Sequence, residues 1–298
     1  MKVIVATIGL LFSFAVAAQS DRFDKVEIKT TRLTQNLYLL ECEGGNIGVS
    51  AGDDGVFVID DQFAPLTARI LAAIKAISDK PVRLMINTHW HFDHTGGNEN
   101  FGKAGVVIVA QDNVRKRLLT KTPIDFFKSA YGPAPAAGLP VLTFKDTVSF
   151  HLNGDEAVAI HAPNAHTDGD AIIHFKNANV VHMGDTYFNG LYPFIDTGTN
   201  GSVKGMIAAA ERVLQITDDT SKIIPGHGPL SNKAELKAYR DMLAKVHANV
   251  AAMVKAKKTL AQVIAAKPTK EFDEKWGNGF LKPDQFVEIV YASAAKAR

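Results

Sequence analysis

Four groups able to bind a metal, His89, His91, Asp93 and His94, fall within six positions of the segment Asn87-Thr88-His89-Trp90-His91-Phe92-Asp93-His94-Thr95-Gly96-Gly97. Neutral imidazoles and a carboxylate suit zinc, and a site whose protein ligands are incomplete keeps a position for water. The same donors also accept iron or manganese. The run follows residues 82–86, an apolar stretch that reads as a buried strand, so a loop at the strand end would aim these side chains into a cleft. In an extended chain alternate residues share a face. His89, His91 and Asp93 then start on one side and His94 on the other. A turn eased by Gly96-Gly97 would spread the set around two neighbouring ions. A single His-x-His is weak evidence, whereas a run this dense is a specific signal.

Three later residues have a matching placement. His166 lies in Pro163-Asn164-Ala165-His166-Thr167, Asp185 in Met183-Gly184-Asp185-Thr186, and His227 in Gly226-His227-Gly228. Each follows a predicted strand, at the end where α/β folds commonly place chemistry. Taken singly, a strand-end aspartate is more often a turn former and a Gly-His-Gly more often a loop.

The run from His89 to His94 resembles the His-x-His-x-Asp-His signature of the metallo-β-lactamase superfamily, and the order His166, Asp185, His227 matches that family over nearly the whole chain after residue 18. The resemblance implies an α/β fold, an αββα sandwich of two mixed sheets flanked by helices, with a metal cleft along one edge. It implies two zinc ions, with iron or manganese as other occupants. His89, His91 and His166 would hold the first ion, Asp93, His94 and His227 the second, and Asp185 would bridge them. A hydroxide between the ions would attack the substrate, and Asp93 would orient it or handle its proton. Many β-lactamases of the family carry cysteine or serine where this chain has Asp185, and aspartate is commoner in hydrolases of other substrates. Flavin-linked di-iron relatives usually have glutamate where this chain has His91.

The expected activity is a zinc-dependent hydrolase that cleaves an amide or ester bond, with a β-lactam as the most specific substrate guess. Lactones, other esters and phosphodiesters are the alternatives within that class. A mononuclear iron oxygenase and a metal-binding protein without turnover are alternatives outside it. For a small-molecule substrate, Tyr187, Phe188, Tyr192, Asn200 and Lys204 form a candidate binding segment after Asp185, an aromatic wall with a lysine for an anionic group.

The elements that would position these residues are legible from period and punctuation. Residues 37–40 and 56–59 read as strands of a meander bounded by glycine turns. Residues 66–77 repeat at helical spacing. Strands are expected at 106–110, 147–152, 157–161, 171–175, 180–183 and 222–224, with helices at 112–119, 203–216, 233–265 and 284–296. Residues 121–140, punctuated by Pro and Gly, read as a surface excursion bordering a site.

Composition excludes several other classes. The 298 residues carry 33 Lys and Arg against 31 Asp and Glu, with no basic stripe, which excludes the footprint of a nucleic-acid binder. The one cysteine, Cys42, excludes an intramolecular disulfide and a thiolate-rich zinc site. The start, Met1-Lys2, a mostly apolar stretch and small residues up to Ala18, has the layout of a secretory leader. The expectation is a leader over residues 1–18, then a domain over 19–298 with a C-terminal helical extension, working in a periplasm or outside the cell without a stable membrane anchor. The histidines outside the constellation, His151, His161, His174, His182 and His247, read as surface or structural.

Overall fold

The computed structural model describes residues 22–296, so the leader assigned to residues 1–18 lies outside the described residues. Strands β1 (Lys29–Arg32), β2 (Leu37–Glu41), β3 (Ile47–Gly52) and β4 (Gly55–Ile59) make an antiparallel meander. Helix α1 (Thr67–Ile77) crosses over to β5 (Val82–Asn87), which pairs parallel with β4. Short helices α2 (Phe92–Thr95) and α3 (Asn98–Lys103) lead to β6 (Val107–Gln111) and α4 (Asp112–Leu118). A hairpin of β7 (Thr122–Ile124) and β8 (Ser129–Tyr131) precedes β9 (Leu142–Phe144). Among the described residues the first sheet has seven strands in the order β1-β2-β3-β4-β5-β6-β9.

The second sheet has, among the described residues, five strands, β10 (Thr147–Leu152), β11 (Asp155–Ala162), β12 (Asp170–Phe175), β13 (Val180–His182) and β14 (Lys222–Ile224), in that spatial order. Its last pair is parallel, joined through helix α5 (Val203–Ile216). Helices α6 (Lys233–Lys255), α7 (Leu260–Ala265), α8 (Asp273–Trp276) and α9 (Pro283–Lys296) follow.

Alternation along the strands sorts side chains into layers. Phe57 and Ile59 of β4 face the second sheet, packing in one core with Phe150, Ala159, Ile173 and Phe175. Their neighbours Val56 and Val58 face the opposite way, against Leu66, Ile70 and Ile74 at α1. On the second sheet, Val180 and Ile224 enter the inter-sheet core, whereas Val181 and Ile223 pack beneath α5, α6 and α9 with Met206, Leu243 and Val290. The result is four layers, αββα. Each such side chain gains roughly 1.5–3 kcal/mol on burial, so a one-residue slip of a central strand would expose one core to the other's neighbours and is strongly excluded.

Two expectations change. The helix read over 233–265 is two helices, because Lys257 takes a left-handed φ of 58° and Thr259 opens a new helix. Thr259 Oγ1 accepts from the Gln262 amide at 3.3 Å while Gln262 Oε1 accepts from the Thr259 amide at 3.0 Å, a reciprocal capping box. The excursion at 121–140 contains the β7–β8 hairpin, and it does border the cleft, through Ile124 and Phe127.

Candidate metal centre

The strands β5, β11, β13 and β14 deliver the candidate residues at one edge of the sandwich. Beyond β5 the chain bends through residues 88–90 and is extended at His91; His89 and His91 reach the same group of donors, and Trp90 between them is buried in the core. Strict alternation therefore does not hold across residues 89–93. Helix α2 begins at Phe92, and its winding sends Asp93 and His94 to a second group. His166 follows β11, Asp185 follows β13 and His227 follows β14.

The seven residues fall into two adjoining groups, His89, His91, His166 and Asp185, and Asp93, His94 and His227. Within each group the ligand atoms lie within 4.8 Å of one another. Asp185 stands between them: Oδ2 is 3.5 Å from both His166 Nε2 and His227 Nε2 and 3.8 Å from His89 Nε2, and Oδ1 is 3.0 Å from His94 Nε2. Asp93 Oδ2 is 3.2 Å from His227 Nε2. Glycines permit this crowding. A Cβ on Gly45 would sit 2.1 Å from His94 Cε1, and one on Gly226 would sit 2.0 Å from Asp185 Oδ1.

Hydrogen bonds at the far side of each ring fix which nitrogen faces inward. His166 Nδ1 donates to the Phe194 carbonyl at 2.8 Å, and His91 Nε2 donates to Asp196 Oδ2 at 3.2 Å. His94 Nδ1 lies 2.8 Å from Asp60 Oδ2, which also accepts from the Thr88 hydroxyl at 2.7 Å. His89 Nδ1 lies 3.1 Å from Thr88 Oγ1. With their outer nitrogens protonated, His166 Nε2 and His91 Nδ1 turn lone pairs toward each other at 2.8 Å. His89 Nε2 is buried with no hydrogen-bond partner among the described residues. Facing lone pairs and an orphaned buried nitrogen are costly unless a cation sits among them, so the donor set fits bound metal.

The electrostatics divide the same way. Burial pushes His89 well below the usual imidazole range and His166 down to about 4, keeping both neutral as ligands must be. Burial opposes charge at His227 too, but Asp185 and Asp93 outweigh it and raise its pKa to about 9. Burial likewise disfavours the Asp93 carboxylate, yet His94 and His227 hold it down at about 2. The carboxylates of Asp185 and Asp93 thus favour positive charge on the His227 side, the charge that a bound cation would supply.

The cleft above these groups has a volume of about 310 Å³. His91, Asp93, Asp185 and His227 form its floor, and Phe63, Phe92, Ile124, Phe127, Phe188, Phe194 and Phe280 its walls, with Arg22 and Glu43 at the rim. Phe188 stacks on the His227 ring, centroids 5.2 Å apart.

Four candidate substrate contacts are elsewhere. Tyr187 is buried under α6, its hydroxyl paired with Ser231 at 2.7 Å. Tyr192 stacks on Phe286 in the same core and donates to Asp273 Oδ1 at 2.8 Å. Asn200 takes a left-handed φ of 68° at the turn before α5 and bonds Asp168. Lys204 is exposed on α5. Closeness to Asp185 in sequence misled here, because the chain dives into the core on either side of Phe188. The remaining histidines lie outside both groups; His182 is the fully buried one, 3.1 Å from the Asn46 carbonyl. Cys42 lies just past β2, half-buried, with Sγ donating to Gln62 Oε1 at 2.9 Å. Asp60, Asp196 and the Phe194 carbonyl, which orient the rings, were missed by sequence reasoning. The one trace was Asp60-Asp61, two acids directly after an apolar strand.

The family model for the metallo-β-lactamase superfamily matches residues 40–227, and the chain belongs to this superfamily. It is 25% identical over 246 residues to the 2,4-dinitroanisole O-demethylase subunit alpha of Nocardioides sp. (strain JS1661), covering 80% of this chain and 70% of that one. It is 23% identical over 241 residues to the metallo-β-lactamase type 2 of Bacteroides fragilis, covering 76% of this chain and 90% of that one. Among solved structures, a metallo-β-lactamase from Pontibacter korlensis superposes with a TM-score of 0.62 at 18% identity, covering 73% of this chain and 99% of that one. The protein is a hydrolase-fold member of a superfamily that binds divalent metals, with His and Asp groups placed to hold them.

Proposed function

We propose that the protein is a di-zinc hydrolase that cleaves an ester or amide bond of a small substrate with an apolar or aryl body. The observation that carries this reading is the wall of six phenylalanines over the paired donor groups. When bound, the two ions would supply an activated water and polarise the substrate oxygen. His89, His91 and His166 would hold the first, Asp93, His94 and His227 the second, and Asp185 would serve both. Asp93, a fifth exposed and on the cleft floor, is the group that can take and return a proton beside the substrate. Phe188 and Phe194 exclude water from that floor and orient the apolar body. The demethylase relative carries a nitroaromatic compound in its name, which agrees with an aromatic cleft. The leader-like residues 1–18 support export to a periplasm or the medium.

A β-lactam is the second reading, favoured by the coverage of the Bacteroides fragilis enzyme. Metal counting and oxygen uptake on the protein as purified, with a panel of 4-nitrophenyl esters of graded acyl length, lactones, bis(4-nitrophenyl) phosphate and nitrocefin run on the zinc-loaded protein, test both. The expected result is two zinc per chain and ester kcat/KM rising with acyl length. Nitrocefin as the best substrate would replace the ester reading, and one iron with oxygen uptake would remove both.

A further inference from the structure

The rim of the cleft carries a built cation. Among the described residues lining the cleft, Arg22 is the side chain of fixed positive charge. Its position is held from behind. The Arg69 guanidinium on α1 donates to the carbonyl oxygens of Phe23, of Asp24 at 2.8 Å and of Val26 at 3.0 Å. Phe23 is thereby buried and packs on Phe63, a cleft wall, with centroids 5.1 Å apart. The Arg22 guanidinium lies over both rings, 5.2 Å from the Phe23 centroid and 5.3 Å from that of Phe63. A planar cation lying against two packed aromatic rings is well placed for a carboxylate or sulfonate.

Glu43 supplies such a group in the structure. Its Oε1 accepts from Arg22 Nε at 3.1 Å and Nη2 at 3.0 Å. Both partners are well exposed, 54% and 37%, and exposed ion pairs are weak. Exchanging one carboxylate for another at this guanidinium is therefore inexpensive. We propose that Arg22 recognises an anionic end group on an apolar substrate, with Glu43 as the internal anion that the substrate displaces. The substrate class is then an amphiphilic anion: apolar body along the phenylalanine walls, scissile bond at the floor, charged end at Arg22. This deepens the hydrolase reading and rests on it for turnover. Lys204, the cation that sequence proximity suggested, is on the exposed face of α5.

The test compares mono(4-nitrophenyl) glutarate with neutral 4-nitrophenyl butyrate, and separately measures octanesulfonate binding to the zinc-loaded full chain by calorimetry. Arg22→Gln should lower the charged-to-neutral ratio of kcat/KM about fivefold to tenfold and weaken octanesulfonate by a similar factor. Arg22→Lys should fall between. Glu43→Gln should move both readouts the opposite way, roughly twofold to fivefold. An unchanged ratio and unchanged sulfonate affinity in Arg22→Gln would overturn the assignment while leaving the hydrolase intact. If the wild type cleaves neither ester but octanesulfonate binding still depends on Arg22, the hydrolase reading fails and the anion site stands.

Discussion

Asp60 does more for the site than its sequence position suggests. It takes a left-handed φ of 63° at the end of β4 and accepts from the Thr88 amide, the Thr88 hydroxyl and His94 Nδ1, at 2.7, 2.7 and 2.8 Å. Those contacts set the His94 ring with Nε2 inward. Asp60→Asn keeps the shape, and asparagine tolerates the backbone conformation. It trades a charge-assisted acceptor for a weak one, so metal affinity of the Asp93, His94 and His227 group should fall by about 10- to 100-fold. Competition against a chromophoric chelator measures this, and two sites of unaltered affinity would sink the role. The residues of the His-x-His-x-Asp-His run were legible because four potential ligands in six positions have few other uses. Asp60 was not, since acids at a strand end, even a pair such as Asp60-Asp61, are ordinarily turn formers.

At the scale of elements, the bounds expected for α5 and for β10 and β14 match the structure, because each is a short amphipathic or apolar run with clear stops. Sequence did not disclose how α5 docks. Gly205 sits inside this helix, where alanine would ordinarily be better by about 1 kcal/mol. A Cβ there would lie 1.8 Å from the Asn164 carbonyl oxygen and 2.4 Å from its carbon. That is backbone of the loop bearing His166, and Ser202, the α5 N-cap, also donates to the Asn164 carbonyl at 2.8 Å. Gly205→Ala should thus destabilise the fold by roughly 1–3 kcal/mol despite its propensity gain. It should also loosen metal held by the His89, His91, His166 and Asp185 group. Urea unfolding with metal counting reads both, and a stabilised variant with full metal would refute the docking argument. The break before α7 lies where the apolar period of α6 stops at Val254, in the exposed stretch 255–258, with Lys257 left-handed and the Thr259 capping box starting the next helix.

Across the whole molecule, two sheets contribute to one cluster of buried charge. His89, His91, Asp93 and His94 come from the first sheet's edge, and His166, Asp185 and His227 from the second's. Bound metal should therefore fasten the sandwich. Ligand at 100 to 1,000 times Kd stabilises the folded state by about 2.7–4.1 kcal/mol. At about 2–4 °C per kcal/mol for a large domain, stripping zinc with a chelator should lower the melting temperature by roughly 5–15 °C. Calorimetry with and without chelator reads the shift. An identical melting curve for the stripped protein would mean that the two sheets do not share a metal-dependent joint.

The sequence by itself determined the donor set and the strand ends that carry it, because ligand chemistry and strand period are local properties. The αββα fold was implied only by the resemblance of those motifs, in their order, to the metallo-β-lactamase superfamily; residue patterns alone left the topology open. The tertiary structure alone decided which ring nitrogen faces inward, how Asp93 and His94 part from His91, and what lines the cleft. Phe63, Phe194, Phe280 and Arg22 come from segments far apart in the chain and meet only when the layers pack. Tyr187 and Tyr192 leave the cleft for the same reason, since their burial beneath the helices outweighs their nearness to Asp185 in sequence.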